Sequence, residues 1–237
     1  AWIGYRKLMR QVNVHVKRAR PQAYLATEGI SDILGQYFDI VQSHQDWRGV
    51  APAEAFPMPE LTRHVMPWLI QAAGPIQEND FYHLRLAHVT GSGLDIACRS
   101  IDPSSVFANR LRRLADWRQR LGPVFLAAEP LYCWVEGFPD HRAIALYANH
   151  QAVIYTCDLV GTKREKLLRL AVAVPAGSWE VSMWETQDGA RPRSEIVMSA
   201  ATPEDPDDSL VVLTMNLPWH EIGVVVLNRV NYPRLKS

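Results

Sequence analysis

The first part of the chain alternates between helical and strand-like patterns of apolar residues. Apolar positions recur at helical spacing over Trp2–Arg20 and predict an amphipathic helix. The short apolar run Ala23–Gly29 follows and predicts a buried parallel strand. A second helical stripe then extends from Ile33 to Val41. The succession of helix, strand and helix is typical of the start of an α/β fold.

Three later segments continue this pattern. Val65–Ile70 and Tyr82–Val89 are predicted strands, and the second leads into the glycine-containing sequence Thr90-Gly91-Ser92-Gly93. Val106–Leu121 is a predicted helix in which apolar residues are spaced among arginines. We therefore expect parallel strands connected by helices.

The pattern changes after about residue 122. Short β-prone runs succeed one another with no helix between them, separated by turn signals such as Pro139-Asp140 and Asp188-Gly189. This pattern predicts an antiparallel β-sandwich without a long helix. With the boundary placed near Phe138, the predicted fold class is α/β over residues 1–137 plus all-β over residues 138–237.

Composition excludes several classes of function. Lysine and arginine number 25, as do aspartate and glutamate. This balance predicts neither a nucleic-acid nor an anionic-membrane partner. No apolar run approaches the roughly 18 residues of a spanning helix. The three cysteines are widely spaced and the usual metal, phosphate and dinucleotide motifs are absent, so we expect no metal and no cofactor.

The sharpest candidate for chemistry is Thr27-Glu28-Gly29. The carboxyl end of a parallel strand faces the ligand in α/β sheets and barrels, and Glu28 is predicted to lie there. Gly29 would let the backbone turn without shielding the carboxylate. Asp32 follows at the predicted start of a helix and could also reach the site. Glu28 fits equally well as a salt-bridged residue of a loop, and Asp32 fits equally well as a residue that balances the helix dipole.

Four segments together resemble glycoside hydrolases with a (β/α)8 barrel. Thr27-Glu28-Gly29 looks like the end of a later barrel strand, and Leu86–Gly91 like the last strand with its loop. Asn109–Arg118 looks like the closing barrel helix, and Pro175–Gly189 is similar to the β-sandwich that follows such barrels. The resemblance implies the carboxy-terminal portion of a barrel over 1–137 and the family's antiparallel sandwich over 138–237. About three strand–helix units are present, where a closed barrel has eight.

The resemblance also implies a function, cleavage of a glycosidic bond by paired carboxylates. Glu28 would be one catalytic carboxylate. The stretch from Leu61 to Gly93 offers only Glu78 and Asp80, both in a predicted loop. We therefore expect the second carboxylate on an earlier strand, supplied by a companion polypeptide or by a missing N-terminal part of the same chain. The substrate would be a carbohydrate.

Further residues are candidates for substrate binding. Arg63, His64 and His88 lie near predicted strand ends and could hydrogen-bond sugar hydroxyls, and Trp68 could stack on a sugar ring. Such residues more often have a structural role, with the aromatic ring packed in the core and the histidine satisfied by neighbouring groups. The alternative function is a non-catalytic carbohydrate-binding or accessory subunit that docks on another chain. Trp179 and Trp184 are five positions apart and face opposite sides of a regular strand, which counts against an aromatic platform there.

Overall fold

The computed structural model divides the chain into two compact units, Ala1–Ile101 and Asp102–Ser237. The residues that it describes are 2–28, 35–42, 66, 69–96, 101–127, 129–138, 140–161, 167–185, 193–198, 210–217 and 221–230. The structure is mixed α/β with mostly strands, and no closed barrel is formed within these ranges. The division of the chain into a barrel portion over 1–137 and a sandwich over 138–237 stays a prediction.

Within the described residues, the first unit has a four-stranded parallel sheet and two helices. Its helices are α1 (Trp2–Ala19) and α2 (Phe81–Thr90). Its strands are β1 (Ala26–Glu28), β2 (Ile40–Gln42), β3 (Ile70–Ile76) and β4 (Gly93–Ile96). The sheet has the order β1-β2-β3-β4, so strands that succeed one another along the chain are neighbours. Each pairing is parallel.

Packing in this unit follows the apolar pattern of its strands and of α2. The helix α2 packs against β3 and β4, and Leu84, Ala87 and Val89 are fully buried. Val41 of β2 forms a separate small cluster with buried residues that precede β3. The parallel sheet thus receives apolar side chains from both the helix and the connecting segments.

Three predicted elements of this unit are wrong. Tyr82–Val89 is helical and lies within α2, and the strand of this region is β4. The helical stripe predicted to reach Val41 ends earlier, because Ile40 and Val41 belong to β2. The strand predicted at Val65–Ile70 instead starts at Ile70 and runs to Ile76.

Helix capping explains the first of these errors. Asp80 is the N-cap of α2, and Gly91, at φ 67°, ends the helix in the left-handed conformation. The Gly91 N–H and the following Ser92 N–H both bond to the Ala87 carbonyl, which closes the last turn. Near-continuous burial from Leu84 to Thr90 gives this helix the apolar run of a buried strand.

The described residues of the second unit form one helix and two antiparallel sheets. The helix α3 (Val106–Ala127) begins where the Ser105 hydroxyl caps it, and it packs against two strands of the larger sheet. Every described element beyond residue 138 is a strand, as the turn-punctuated pattern predicted. The nine strands of this unit are β5 (Glu129–Leu131), β6 (Cys133–Glu136), β7 (His141–Ala148), β8 (Gln151–Asp158), β9 (Leu168–Pro175), β10 (Ser178–Glu185), β11 (Arg193–Met198), β12 (Leu210–Leu217) and β13 (Ile222–Arg229).

The two sheets share one apolar core. The larger has the order β11-β10-β13-β8-β7-β5, and the smaller has the order β12-β9-β6. A single buried cluster combines Ile154 and Val225 of the larger sheet with Val172 and Leu213 of the smaller. Trp179 is fully buried in this cluster, and its indole N–H donates to the Pro175 carbonyl at 3.2 Å.

Candidate active site

The carboxyl edge of the parallel sheet is the candidate site. The four described strands of the first unit run in the same direction, so their carboxyl ends face the same side of the sheet, with β3 and β4 extending beyond the end of β1. Glu28 is the last residue of β1 and is level in the ladder with Gln42 and Ala72, and Ala72 is level with Gly93. Ligands of open α/β sheets and of barrels bind at this edge. Glu28 therefore occupies the strand-end position expected from the sequence, while its side chain lies outside the described part of the structure.

A polar turn follows the carboxyl end of β3. The sequence Gln77-Glu78-Asn79-Asp80 connects β3 directly to the start of α2. Asn79 takes a left-handed conformation, with φ 65°, which asparagine tolerates better than most residues. The turn therefore places two acidic residues, Glu78 and Asp80, on the carboxyl side of a parallel strand.

Asp80 is paired with His83 at this turn. Both carboxylate oxygens of Asp80 lie 2.8 Å from Nδ1 of His83, and one also accepts the His83 backbone N–H at 3.3 Å. The Tyr82 ring meets the imidazole edge-on, with 5.1 Å between centroids. A carboxylate at Nδ1 favours the tautomer in which that nitrogen carries the proton. Nε2 is then an acceptor, and it is buried without a hydrogen-bond partner among the described residues.

A polar clip fixes β1 relative to β2 and α1. Asp39, directly before β2, accepts the Leu25 backbone N–H at 2.8 Å and lies 2.9 Å from the Lys17 ammonium with both oxygens. The same ammonium donates to the Ala23 carbonyl at 2.7 Å. Burial raises the pKa of Asp39, but the bonds from Lys17 and Leu25 and the charge of Lys17 outweigh it, so the pKa lies below its usual value. The clip joins the residues that lead into the two strands and supports their register.

The other predicted site residues have different outcomes. Asp32, Arg63, His64 and Trp68 lie outside the described residues, so their predicted roles stay predictions. The sequence predicts His88 near a strand end, and this is wrong: His88 is buried in the last turn of α2. The physical reason is the helix itself, whose caps place residue 88 between two buried apolar neighbours.

Sequence reasoning missed the turn after β3. The apolar pattern predicts a strand that begins at Tyr82, and it therefore assigns Glu78 and Asp80 to the loop before that strand. The N-cap signal of Asp80, followed by a helix-terminating glycine at position 91, is the feature that could have located them before a helix. Once the helix is recognised, both acids fall at a strand's carboxyl end.

The described residues hold no cluster of three or more histidine, cysteine, aspartate or glutamate side chains that could bind a metal ion. Among the helices in the described ranges, none is both long and apolar enough to cross a membrane.

Comparison by sequence finds no match, whereas comparison by structure finds proteins of similar fold. No protein-family model matches the chain, and no curated protein matches it. A maltogenic α-amylase, AmyB, from Thermotoga neapolitana superposes with a TM-score of 0.59 at 10% identity, over 96% of this chain and 59% of the amylase. An α-amylase from Anoxybacillus gives 0.55 at 9% identity, over 96% of this chain and 57% of that one.

A third similar structure is a GH27 β-L-arabinopyranosidase from Geobacillus stearothermophilus, solved with arabinose. It gives a TM-score of 0.54 at 11% identity, over 95% of this chain and 55% of that chain. This chain thus spans a little more than half the length of each of the three proteins. At a coarse level, its fold is similar to part of a glycoside hydrolase.

Proposed function

We propose that this protein is a glycoside hydrolase, or part of one, that cleaves a glycosidic bond with paired carboxylates. In this proposal Glu28 is the catalytic acid/base, residues 1–137 are the carboxy-terminal portion of a (β/α)8 barrel, and residues 138–237 are the appended sandwich. The observation that carries the proposal is the position of Glu28 at the carboxyl end of β1 in an all-parallel sheet. The fold likeness to three glycoside hydrolases supports it.

The reaction needs a second carboxyl group across the sugar from Glu28. Two carboxyl groups about 5–5.5 Å apart give retention of configuration, and a separation of roughly 6.5–9.5 Å gives inversion. The strands β1 and β3 are two positions apart in the sheet, which places their backbones roughly 9–10 Å apart. Along the strands, Glu28 is level with Ala72, and β3 continues about 13 Å further to Ile76 before the turn that carries Asp80. Asp80 is the described acid that best meets this requirement, because His83 holds its carboxylate in one orientation.

The alternative to Asp80 is a carboxylate on the barrel strands that would complete this sheet. Within the described residues, β1 and β4 each pair on one side, so the sheet has two open edges. Open parallel edges favour pairing with further strands. The helix α1 also carries five exposed apolar side chains, namely Ile3, Tyr5, Leu8, Val12 and Val14. We therefore propose that a companion polypeptide, or further residues of the same chain, completes the barrel against this unit.

The test is turnover by the completed assembly on a panel of 4-nitrophenyl α- and β-glycosides and on soluble starch. Glu28→Gln should lower kcat by about 10²–10⁴-fold, the usual worth of a general acid/base. Glu129→Gln is the matched control, since Glu129 is an exposed strand residue of the second unit, and its kcat should stay within about twofold of wild type. Near-normal turnover of Glu28→Gln on any glycoside that the wild type cleaves would remove Glu28 from the mechanism.

Asp80→Asn distinguishes the two sources of the second carboxylate. A loss as large as that of Glu28→Gln, with the melting temperature unchanged, assigns the role to Asp80. A loss of less than about tenfold assigns it to a strand of the completing segment. Asparagine retains an oxygen that can accept the His83 backbone N–H, so the helix cap is kept.

A further inference from the structure

The outer face of the three-stranded sheet carries an exposed aromatic pair. Leu131, Cys133 and Val135 pack against the core of the second unit, so the residues between them face away from it. These are Tyr132, which lies between β5 and the start of β6, and Trp134 of β6, and they are 80% and 43% exposed. They are two positions apart on one side of the chain, about 6.6–6.8 Å along it. Unlike Trp179 and Trp184, they therefore share a face.

Small side chains lie beside this pair on the central strand. The Tyr132 carbonyl accepts the Ala173 backbone N–H at 2.8 Å, and Trp134 is opposite Ala171 on β9. Ala171 and Ala173 are both buried, at 1% and 8% exposure, so the exposed surface of this face is formed by the larger residues on either side of them. The next strand, β12, continues the row with Val212 opposite Ala173. The exposed apolar side chains of this face thus include Tyr132 and Trp134 on one side of β9 and Val212 on the other.

A polar row borders these apolar side chains. Glu136 and Arg169 are paired at 2.8 Å and are both substantially exposed. Thr214 and Asn216 alternate with the core-facing residues of β12 and are exposed on the same outer face. Hydroxyl, amide, guanidinium and carboxylate groups thus lie within one or two residues of the aromatic rings. The one cation and one anion of this row cancel, so the face has no net charge to attract a charged ligand.

We infer that this face, defined by Tyr132, Trp134, Arg169, Val212 and Asn216, binds a neutral oligosaccharide chain. Sugars present apolar C–H patches that stack on aromatic rings, and equatorial hydroxyls that accept and donate hydrogen bonds at the rim. The inference rests on the proposed function for its ligand class, since a second sugar site would hold a polymeric substrate on the molecule that cleaves it. Binding at two linked sites raises apparent affinity without any new contact at the catalytic edge.

The size of the face favours a sugar chain over a second copy of the protein. Three strands at about 4.8 Å spacing, each of eight residues or fewer, cover roughly 300–400 Å². A stable protein interface buries about 800 Å² per partner. A few sugar rings cover the available area, whereas a dimer would need about twice as much.

The test is native gel electrophoresis of the completed assembly through gels cast with soluble starch, xylan or arabinogalactan, each beside a gel without polysaccharide. All variants are made on the Glu28→Gln background so that the matrix is not degraded. The parent protein should be retarded in at least one polysaccharide gel. Trp134→Ala and Tyr132→Ala should each weaken the retardation by roughly tenfold or more in apparent affinity, as expected for truncated aromatic anchors.

Two matched variants separate ring stacking from general apolar contact. Trp134→Phe keeps a flat ring and should retain most of the retardation, while Trp134→Leu keeps an apolar side chain and should lose it. Leu210→Ala removes another exposed apolar side chain of the same sheet and should change nothing. No retardation of folded parent protein in any of the gels overturns the inference, as does equal retardation of Trp134→Leu and wild type. Self-association that Trp134→Ala abolishes would instead assign the face to a second copy.

Turnover is measured separately on the 4-nitrophenyl glycosides, which are too small to bridge two sites, so failure of the gel experiment leaves the catalytic proposal standing.

Discussion

Replacement of Asp39 by alanine should loosen the front of the parallel sheet. The carboxylate makes two kinds of contact, a hydrogen bond from the Leu25 N–H at 2.8 Å and an ion pair with Lys17 at 2.9 Å. A hydrogen bond to a charged group contributes about 1.5–3 kcal/mol. The ion pair is about a third exposed, so screening reduces it to at most about 1 kcal/mol. Together these values predict a loss of about 2 kcal/mol in the free energy of unfolding of the first unit.

Asp39→Asn separates the two contributions. Asparagine keeps an acceptor for the Leu25 N–H and removes only the charge, so it should cost about 1 kcal/mol or less. Asp116→Ala is the control, because the Asp116–Arg120 ion pair on α3 is mostly exposed and should contribute little. The expected order of destabilisation is Asp39→Ala, then Asp39→Asn, then Asp116→Ala.

Native-state hydrogen exchange read by mass spectrometry is the suitable assay, because it reports each unit separately. Peptides that contain β1 and β2 should lose protection in Asp39→Ala, while peptides from β8 and β13 should be unchanged. If Asp39→Ala leaves the β1 and β2 peptides within about 0.5 kcal/mol of wild type, like the Asp116→Ala control, the clip does not support the strands.

Three further predictions concern acid, the core and a turn. The folded-state pKa of Asp39 lies below its unfolded value, so the stability that the ionised carboxylate contributes is fully present above the unfolded pKa and is lost as pH falls through the folded pKa. Acid should therefore destabilise the wild type more than Asp39→Asn. Parallel plots of unfolding free energy against pH for the two proteins would contradict this. Trp179→Ala should cost about 3–5 kcal/mol in urea unfolding, because it removes a fully buried ring that also contacts Tyr147, and a loss under about 1 kcal/mol would show that the two sheets do not share a core. Gly177→Ala should cost about 1–3 kcal/mol by the same assay, because φ is 151° and a Cβ would meet Arg229 Nε at 2.9 Å, and an unchanged midpoint would contradict the conformation of this turn.

The sequence predicted those elements whose apolar pattern has one clear period. The helices α1 and α3 and the strand β1 are confirmed, as are strands in the described residues after α3. The change to strands that was expected after about residue 122 comes later, because α3 continues to Ala127. Alternating burial on β12, where every second residue from Leu213 onward is buried, shows why that segment was recognisable. Strand order and the sharing of one core between two sheets depend on long-range pairing that no local pattern contains.

The candidate site was only partly predictable for a related reason. Glu28 could be placed because a short apolar run ends directly at an acid and a glycine. Asp80 and His83 could not, because α2 is buried along most of its length and its apolar residues mimic a strand. In sequence, only the capping residues then distinguish such a helix from a buried strand. When the segment is taken for a strand, Glu78 and Asp80 are assigned to a loop and not to the carboxyl end of β3.

The most direct test is a crystal structure of the native protein, completed by its companion segment, with an oligosaccharide bound. The proposal predicts a sugar at the carboxyl edge of the parallel sheet, with a glycosidic oxygen about 2.6–3.2 Å from the Glu28 carboxylate and a second carboxylate on the opposite side of the bond. A Glu28 carboxylate that points outward and pairs with a surface arginine, with the sugar bound away from this edge, would contradict the assignment.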